Sequence, residues 1–340
     1  MKNLISKKKI PFKISKALRA FLIQNGREQP AINYNDLLRY DNSIPLINAS
    51  GEDTLWETVF YPQNELTEIH NSLKEVYSGL LAHKDLSVIE HLYIDRIDLC
   101  PFGNSQPFRI RIVNKMNDNF DYFYVKNADS SRIYGLELEH LLSPNRINYL
   151  VDGNTLIEEH IAGIPGDQFI KTYLSDPNIS KIRIAKEFVK FNERCFVRLL
   201  GDMHSSNFVV DITPDFEETH YRIRAIDFDQ QSYEGRKKVY LPQYFKQNYP
   251  FVKVGMDVMT PESMYQYQLE ERSLIRNRMK NSEEVLKKLL AAMVEDRISL
   301  DEHVRQLRED MAKHFKNKSF LKCKSMGAIV KLNLELLWKK

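Results

Sequence analysis

Hydrophobic periodicity in this chain shifts near Gly166 from a stretch dominated by alternation to one dominated by helical spacing. A period of two places successive side chains on opposite faces of a strand, and a period near 3.6 gathers them on one stripe of a helix. From His91 the run H-L-Y-I-D-R-I-D-L-C alternates, P-F-G-N-S-Q-P breaks it, and F-R-I-R-I-V alternates again, which predicts a hairpin with a long tip. Asp121 to Lys126 reads as a third antiparallel strand, a helix follows from about Ser131 to Leu142, and Asn148–Val151 and Thr155–His160 supply two more strands. Beyond the turn I-A-G-I-P-G, residues Ile182, Ala185, Phe188, Val189, Asn192, Cys195, Phe196 and Leu199 mark one face of a long helix that ends at Gly201. Two short strands, Phe208–Asp211 and Arg222–Ile226, come next, and helical periodicity dominates from Pro261 onwards.

Upstream of the first hairpin, Leu55 to Leu86 reads as mostly helical. Met1 to Gln24 is rich in lysine, lacks acids and spaces Phe12, Ala17, Leu18, Phe21 and Leu22 as one face of a basic amphipathic helix. The expectation is a helix packed on the body with its lysines in water; association with a membrane surface or an anionic partner is the alternative. The organisation expected is therefore α+β in two lobes. Residues 1–90 form a mainly helical extension, 91–163 a small antiparallel β lobe with one helix, and 164–340 a larger, mainly helical lobe with C-terminal helices.

Composition narrows the function classes. Forty-nine basic against 46 acidic residues leave a net charge of +3, so bulk charge gives no reason to expect nucleic acid. With 43% hydrophobic and 28% charged residues the chain is composed like an ordinary globular protein. Cys100, Cys195 and Cys323 lie far apart, without C-x-x-C spacing, which suggests neither a zinc site nor a disulfide framework. No apolar run approaches the roughly 20 residues that span a bilayer. A cytoplasmic location is expected.

The stretch richest in chemistry is G-D-M-H-S-S-N-F-V-V-D, Gly201 to Asp211, followed by A-I-D-F-D, Ala225 to Asp229. Asp202 and Asn207 are five residues apart, close enough for one loop to present both a carboxylate and an amide. Here the chain resembles the aminoglycoside phosphotransferase and choline kinase branch of the protein-kinase-like superfamily, whose catalytic loop runs H-G-D-x-x-x-x-N and whose metal motif is I-D-F or I-D-W. Leu200 stands where that family has histidine. The resemblance spans about His91 to Gln230 and implies a two-lobed protein-kinase-like fold that uses ATP and Mg²⁺.

By that resemblance Asp202 orients the acceptor hydroxyl and takes its proton, and Asn207 and Asp227 bind the metal. Asp229 is an additional metal ligand or a hydrogen-bond partner of a nearby loop. Lys126, ending a strand as V-K, corresponds to the lysine on the nucleotide phosphates, and Glu137 rather than Glu139 on the following helix is the expected partner of Lys126. The tip Cys100–Pro107 lies where a phosphate-covering loop belongs, with Gly103 and Ser105 as its contacts. In L-I-E-E-H-I-A-G-I-P-G, Leu156 to Gly166, main-chain groups of Glu159 and Ile161 would bind adenine. His204 reads as a structural residue of the loop.

The function expected is an ATP-dependent phosphotransferase that delivers the γ-phosphate to a hydroxyl of a small molecule. A protein kinase or nucleotidyl transferase on the same fold and a nucleotide-binding pseudokinase are the alternatives. A hydrolase using Asp202, His204, Asp227 and Asp229 leaves the upstream order of strand, lysine, helix and linker without explanation. The segment after Asp229, Q-Q-S-Y-E-G-R-K-K-V-Y, is basic and aromatic, as befits a loop packed by its tyrosines or one that meets an anionic acceptor.

Overall fold

A computed structural model describes residues 9–30, 32–81, 86–215 and 219–338. The chain divides into two compact units: Lys13–Asp129 with Ile147–His160, and Met1–Phe12 with Ser130–Arg146 and Ile161–Lys340. We call them the sheet unit and the helical unit.

The sheet unit contains α1 (Lys16–Gln24), α2 (Tyr34–Leu37), β1 (Asn42–Ile47), β2 (Asp53–Phe60), α3 (Gln63–Leu81), β3 (Leu92–Leu99), β4 (Phe108–Asn114), β5 (Phe120–Asn127), β6 (Tyr149–Asp152) and β7 (Thr155–Glu159). Its strands form one antiparallel sheet in the order β1-β2-β3-β4-β5-β7-β6. Helix α3 covers it. Ile69, Leu73, Val76 and Leu80 recur at helical spacing on the buried face of α3 and share a core with Ile110, Ile112, Phe123, Val125 and Ile157.

Two expectations for the N-terminal part are corrected. Leu55 to Phe60 is strand rather than helix, and β1 and β2 extend the sheet beyond the five strands read from alternation. The basic helix is shorter than expected. It starts at Lys16, where the Ser15 side chain accepts the Leu18 N–H, and buries Leu18, Phe21 and Leu22, while residues 9–15 are not helical. Pro11 has no N–H to donate and disfavours helix at the residue before it. The lysines before residue 9 lie outside the described residues. Lys9 itself is buried rather than in water.

The helical unit contains α4 (Ser130–Leu142), β8 (Ile164–Pro165), α5 (Gly166–Thr172), α6 (Lys181–Arg198), β9 (Phe208–Pro214), β10 (Thr219–Ala225), α7 (Tyr249–Val258), α8 (Pro261–Asn281), α9 (Glu283–Glu295), α10 (Asp301–Phe315) and α11 (Met326–Glu335). Its small sheet runs β10-β9-β8. Helix α6 is central, packed by α7, α8, α11 and β10. Its charged residues are not all at the surface: Arg194 is buried against Glu187 at 2.6 Å and Glu271 at 3.6 Å, and Arg198 pairs with Glu139 of α4. Buried charges of this kind survive only when paired.

The unit boundaries differ from those read at the sequence level. Helix α4 belongs with the helical unit, not with the strands on either side of it, because Ser130 to Glu139 are all buried there. After the strands that follow α4, the chain re-enters the helical unit between His160 and Ile161, inside the segment expected to be a linker.

Candidate functional site

The loop that follows α6 is set by how that helix ends. Leu199 adopts the left-handed conformation (φ 56°), and the Leu200 N–H then reaches the Cys195 carbonyl at 2.9 Å, closing the last turn. A bulky residue there costs about 1–2 kcal/mol. Burial and further backbone bonds hold it: the Gly201 N–H donates to Gln230 O at 3.2 Å and the Asp202 N–H to Val239 O at 3.2 Å. Asp202 is also left-handed (φ 62°), a conformation aspartate tolerates better than most residues. Its carbonyl accepts twice, from the His204 N–H at 2.8 Å and from Asn207 Nδ2 at 2.8 Å. The five-residue spacing is thereby turned into a closed loop.

Because Asn207 Nδ2 is engaged, the amide orientation is fixed and Oδ1 is the atom turned away from the loop. The next residue begins β9, and the antiparallel register of β9 and β10 pairs Phe208 with Ala225. Residues just outside that pair emerge together, and the Ile226 N–H donates to Asn207 O at 3.0 Å. The register of one hairpin thus brings Asp227 to the Asp202–Asn207 loop.

Asp227 is fixed from two sides. Its Oδ1 accepts from Arg132 Nη1 at 2.8 Å and from the Asp229 N–H at 3.0 Å. The same Nη1 lies 2.7 Å from Asp229 Oδ1. Arg132 is delivered by α4, which approaches closely because a Cβ on Gly135 would sit 3.1 Å from the side chains of both Phe228 and Gln231. The Ser131 hydroxyl donates to Gln231 O at 2.6 Å on the same face of the helix. Behind the loop, the Lys9 ammonium donates to Asp229 O at 2.5 Å. On the other side, a Cβ on Gly166 would collide with Ser205 O at 2.6 Å, so glycine lets the start of α5 touch the loop.

The electrostatics are dominated by crowded carboxylates. Burial, then Asp227, Glu234 and Asp229, push the Asp202 carboxyl up to about 7. Burial also raises Glu234 and lowers His204. The neutral His204 accepts the Ser206 N–H on Nδ1 at 3.3 Å and stacks edge-on against Phe245, and its Nε2 is 3.9 Å from Asp202 Oδ1. At that distance there is no hydrogen bond.

Asp202, Asn207, Asp227 and Asp229 are therefore gathered in the helical unit, where Glu137 and Ile161 are also buried. Glu139 is taken by Arg198. Lys126, Gly103, Ser105 and Glu159 belong to the sheet unit. There Lys126 pairs with Tyr124 and Glu158 on one sheet face: the register sets Tyr124 opposite Glu158, and the Lys126 ammonium reaches Glu158 diagonally at 2.7 Å. Gly103 sits in the β3–β4 tip, its N–H spent on Cys100 O at 3.3 Å. The Glu159 N–H donates to Asn148 O at 3.1 Å. Sequence reasoning missed Arg132, Glu158 and Lys9. The signal for Arg132 was present in Ser131 and Gly135, small residues one turn apart that mark a closely packed helix face.

The oxygens at the loop fit a hard divalent cation. Asp227 Oδ2 and Asn207 Oδ1 have no partner among the described residues, and a carboxylate plus an amide oxygen is a donor set Mg²⁺ accepts when water and phosphate complete its shell. Among the described residues no group of three His, Cys, Asp or Glu side chains is arranged as a metal site. No helix among them is long and apolar enough to cross a membrane, and the three cysteines are free thiols.

No protein-family model matches the chain, and no curated protein matches it. Among solved structures the chain is similar to the autoinhibited serine kinase domain of the giant muscle protein titin, with 12% identity over 60% of this chain and 82% of that one, at a TM-score of 0.29. It is similar also to titin kinase and its flanking domains, with 13% identity over 70% of this chain and 53% of that one, at a TM-score of 0.28. At these TM-scores neither likeness bears on the site.

Proposed function

We propose that the chain is a kinase-like phosphotransferase of the two-lobed protein-kinase-like fold, moving the γ-phosphate of ATP to a hydroxyl of a small molecule. The observation that carries this reading is the closed loop in which Asn207 Nδ2 holds the Asp202 carbonyl at 2.8 Å while the β9–β10 register delivers Asp227 beside it. Phosphoryl transfer asks little covalent chemistry of a protein and much positioning, and this loop is positioned before any substrate arrives.

In this reading the acceptor O–H donates to Asp202, whose carboxylate takes the proton as the oxygen bonds to the γ-phosphorus and the bond from that phosphorus to the bridging oxygen breaks, releasing ADP. Burial, the largest cause, raises the Asp202 carboxyl in the metal-free fold, and a raised carboxyl is a stronger base than an ordinary aspartate. Asn207 Oδ1 and Asp227 Oδ2 would hold Mg²⁺, which when bound neutralises charge on the nucleotide phosphates. Lys126 contacts those phosphates, and the tip with Gly103 and Ser105 covers them. Glu159 and Ile161 meet adenine through their main chains. His204, bonded into the loop through Nδ1, serves as a structural residue.

The test is mass analysis of products after incubating the purified chain with MgATP, a pool of hydroxylated metabolites and a generic protein. A phosphorylated small molecule together with ADP is the expected result. A nucleotidylated product, phosphoprotein alone, or intact ATP would each overturn the reading.

A further inference from the structure

We infer that Arg132 is a built-in cation that takes, between Asp227 and Asp229, the place a second divalent ion would need, so that the protein works with a single metal ion bound alongside ATP. The inference rests on the phosphotransferase reading above and adds to it the number of ions the site accepts.

Three oxygens of the Asp227–Asp229 segment are already bound by buried basic groups. Arg132 Nη1 lies 2.8 Å from Asp227 Oδ1 and 2.7 Å from Asp229 Oδ1, and Lys9 Nζ lies 2.5 Å from Asp229 O. The Arg132 side chain is only 3% exposed. It does not sit there by chance of a flexible surface arm, since α4 is pinned to the same loop through Ser131 and by the close approach at Gly135.

A guanidinium stays charged at every physiological pH, so this position is permanently cationic. A divalent ion that used Asp229 Oδ1 or Asp227 Oδ1 would have to displace it or stand within a few ångströms of it, in surroundings where like charges repel strongly. What is left on Asp227 and Asn207 is one pair of oxygens, Oδ2 and Oδ1, enough for one octahedral ion completed by water and phosphate. Asp229 is then the anchor of Arg132 rather than a metal ligand. Arg132 is a positioning residue: it orients Asp227 and balances the carboxylates without touching substrate.

The test counts ions. Full-length protein with an equimolar non-hydrolysable ATP analogue is titrated with Mn²⁺ and followed by electron paramagnetic resonance, first unmodified and then as Arg132→Lys and Arg132→Met. One Mn²⁺ per chain is expected for the unmodified protein and for Arg132→Lys, and a second Mn²⁺ for Arg132→Met, in which the oxygens are uncovered. Two ions in the unmodified protein would overturn the inference and leave the phosphotransferase reading standing. A folded Arg132→Met that still takes one ion would overturn it as well. No Mn²⁺ bound with the nucleotide analogue would overturn both. Should Arg132→Met fail to fold, the counts for the unmodified protein and Arg132→Lys decide.

Discussion

The loop at Asp202 and the tip at Gly103 are both turns between regular elements, yet they are built to opposite specifications. Around Asp202, backbone groups from residues 199 to 207 bond to residues 226 to 239, and Asp202, Asn207 and Asp227 are each held by at least two hydrogen bonds. The tip closes on itself through Cys100, Gly103, Gln106 and Pro107 and is tied to its unit by the Tyr34 hydroxyl on Gln106 O at 2.8 Å. Phe102 at its apex is 74% exposed. Under the proposed function the difference fits two tasks. Atoms that meet charge developing in a transition state must be fixed beforehand, whereas a segment that covers a ligand must be able to move aside.

That contrast can be broken most severely at the fixed loop. Asp227→Ala should abolish transfer, by at least about 10³-fold, and weaken metal-dependent ATP binding at the same time, because it removes a metal oxygen and one of the two carboxylates that hold Arg132. Loss of transfer with unchanged MgATP affinity, measured by calorimetry, would break the assignment. Next in size is Lys126→Ala, which should reduce ATP use by roughly 10- to 100-fold through KM. Since Glu158 is left buried beside the deletion, the double variant Lys126→Ala with Glu158→Gln should recover stability without recovering ATP use. Recovery of both would make the pair purely structural.

Asp202 offers a stability test of the same loop. Its carboxyl is raised from 3.8 to about 7 in the metal-free fold, mainly by burial. A raised carboxyl destabilises the fold increasingly as pH climbs between those values and fully above the upper one. Asp202→Asn should therefore stabilise the metal-free protein by roughly 1–3 kcal/mol above pH 7, with the gain shrinking as pH falls and gone near pH 4. Denaturant melts of both proteins across that range check it; a gain independent of pH would contradict the cause given. The smallest effect is expected at the tip. Tyr34→Phe removes one tether worth about 1 kcal/mol, and hydrogen exchange should quicken at residues 100–107 with little change elsewhere.

Much of this was legible because the residues involved are close in sequence or periodic. Alternation found β3 to β7 within a residue or two, and the spacing of Asp202, Asn207 and Asp227 announced a loop that one hairpin register could assemble. What was hidden depended on partners far along the chain. Arg132 meets carboxylates 95 and 97 residues away, and the small residues Ser131 and Gly135 mark a closely packed helix face without saying what packs on it. Lys126 finds Glu158 only through strand order, which alternation alone does not specify. The strand at Asp53–Phe60 was read as helix because α3 begins three residues later, so one window spanned both periods.

The central claim is a division of labour in which Asp202 serves the acceptor and Asp227 serves the metal. It is tested most directly by titrating MgATP calorimetrically into Asp202→Asn while following phosphate transfer on the same preparation. Retained MgATP affinity with turnover lowered on the order of 10²- to 10⁴-fold is the predicted result. MgATP affinity lost as completely as in Asp227→Ala would make Asp202 a metal ligand and contradict the account.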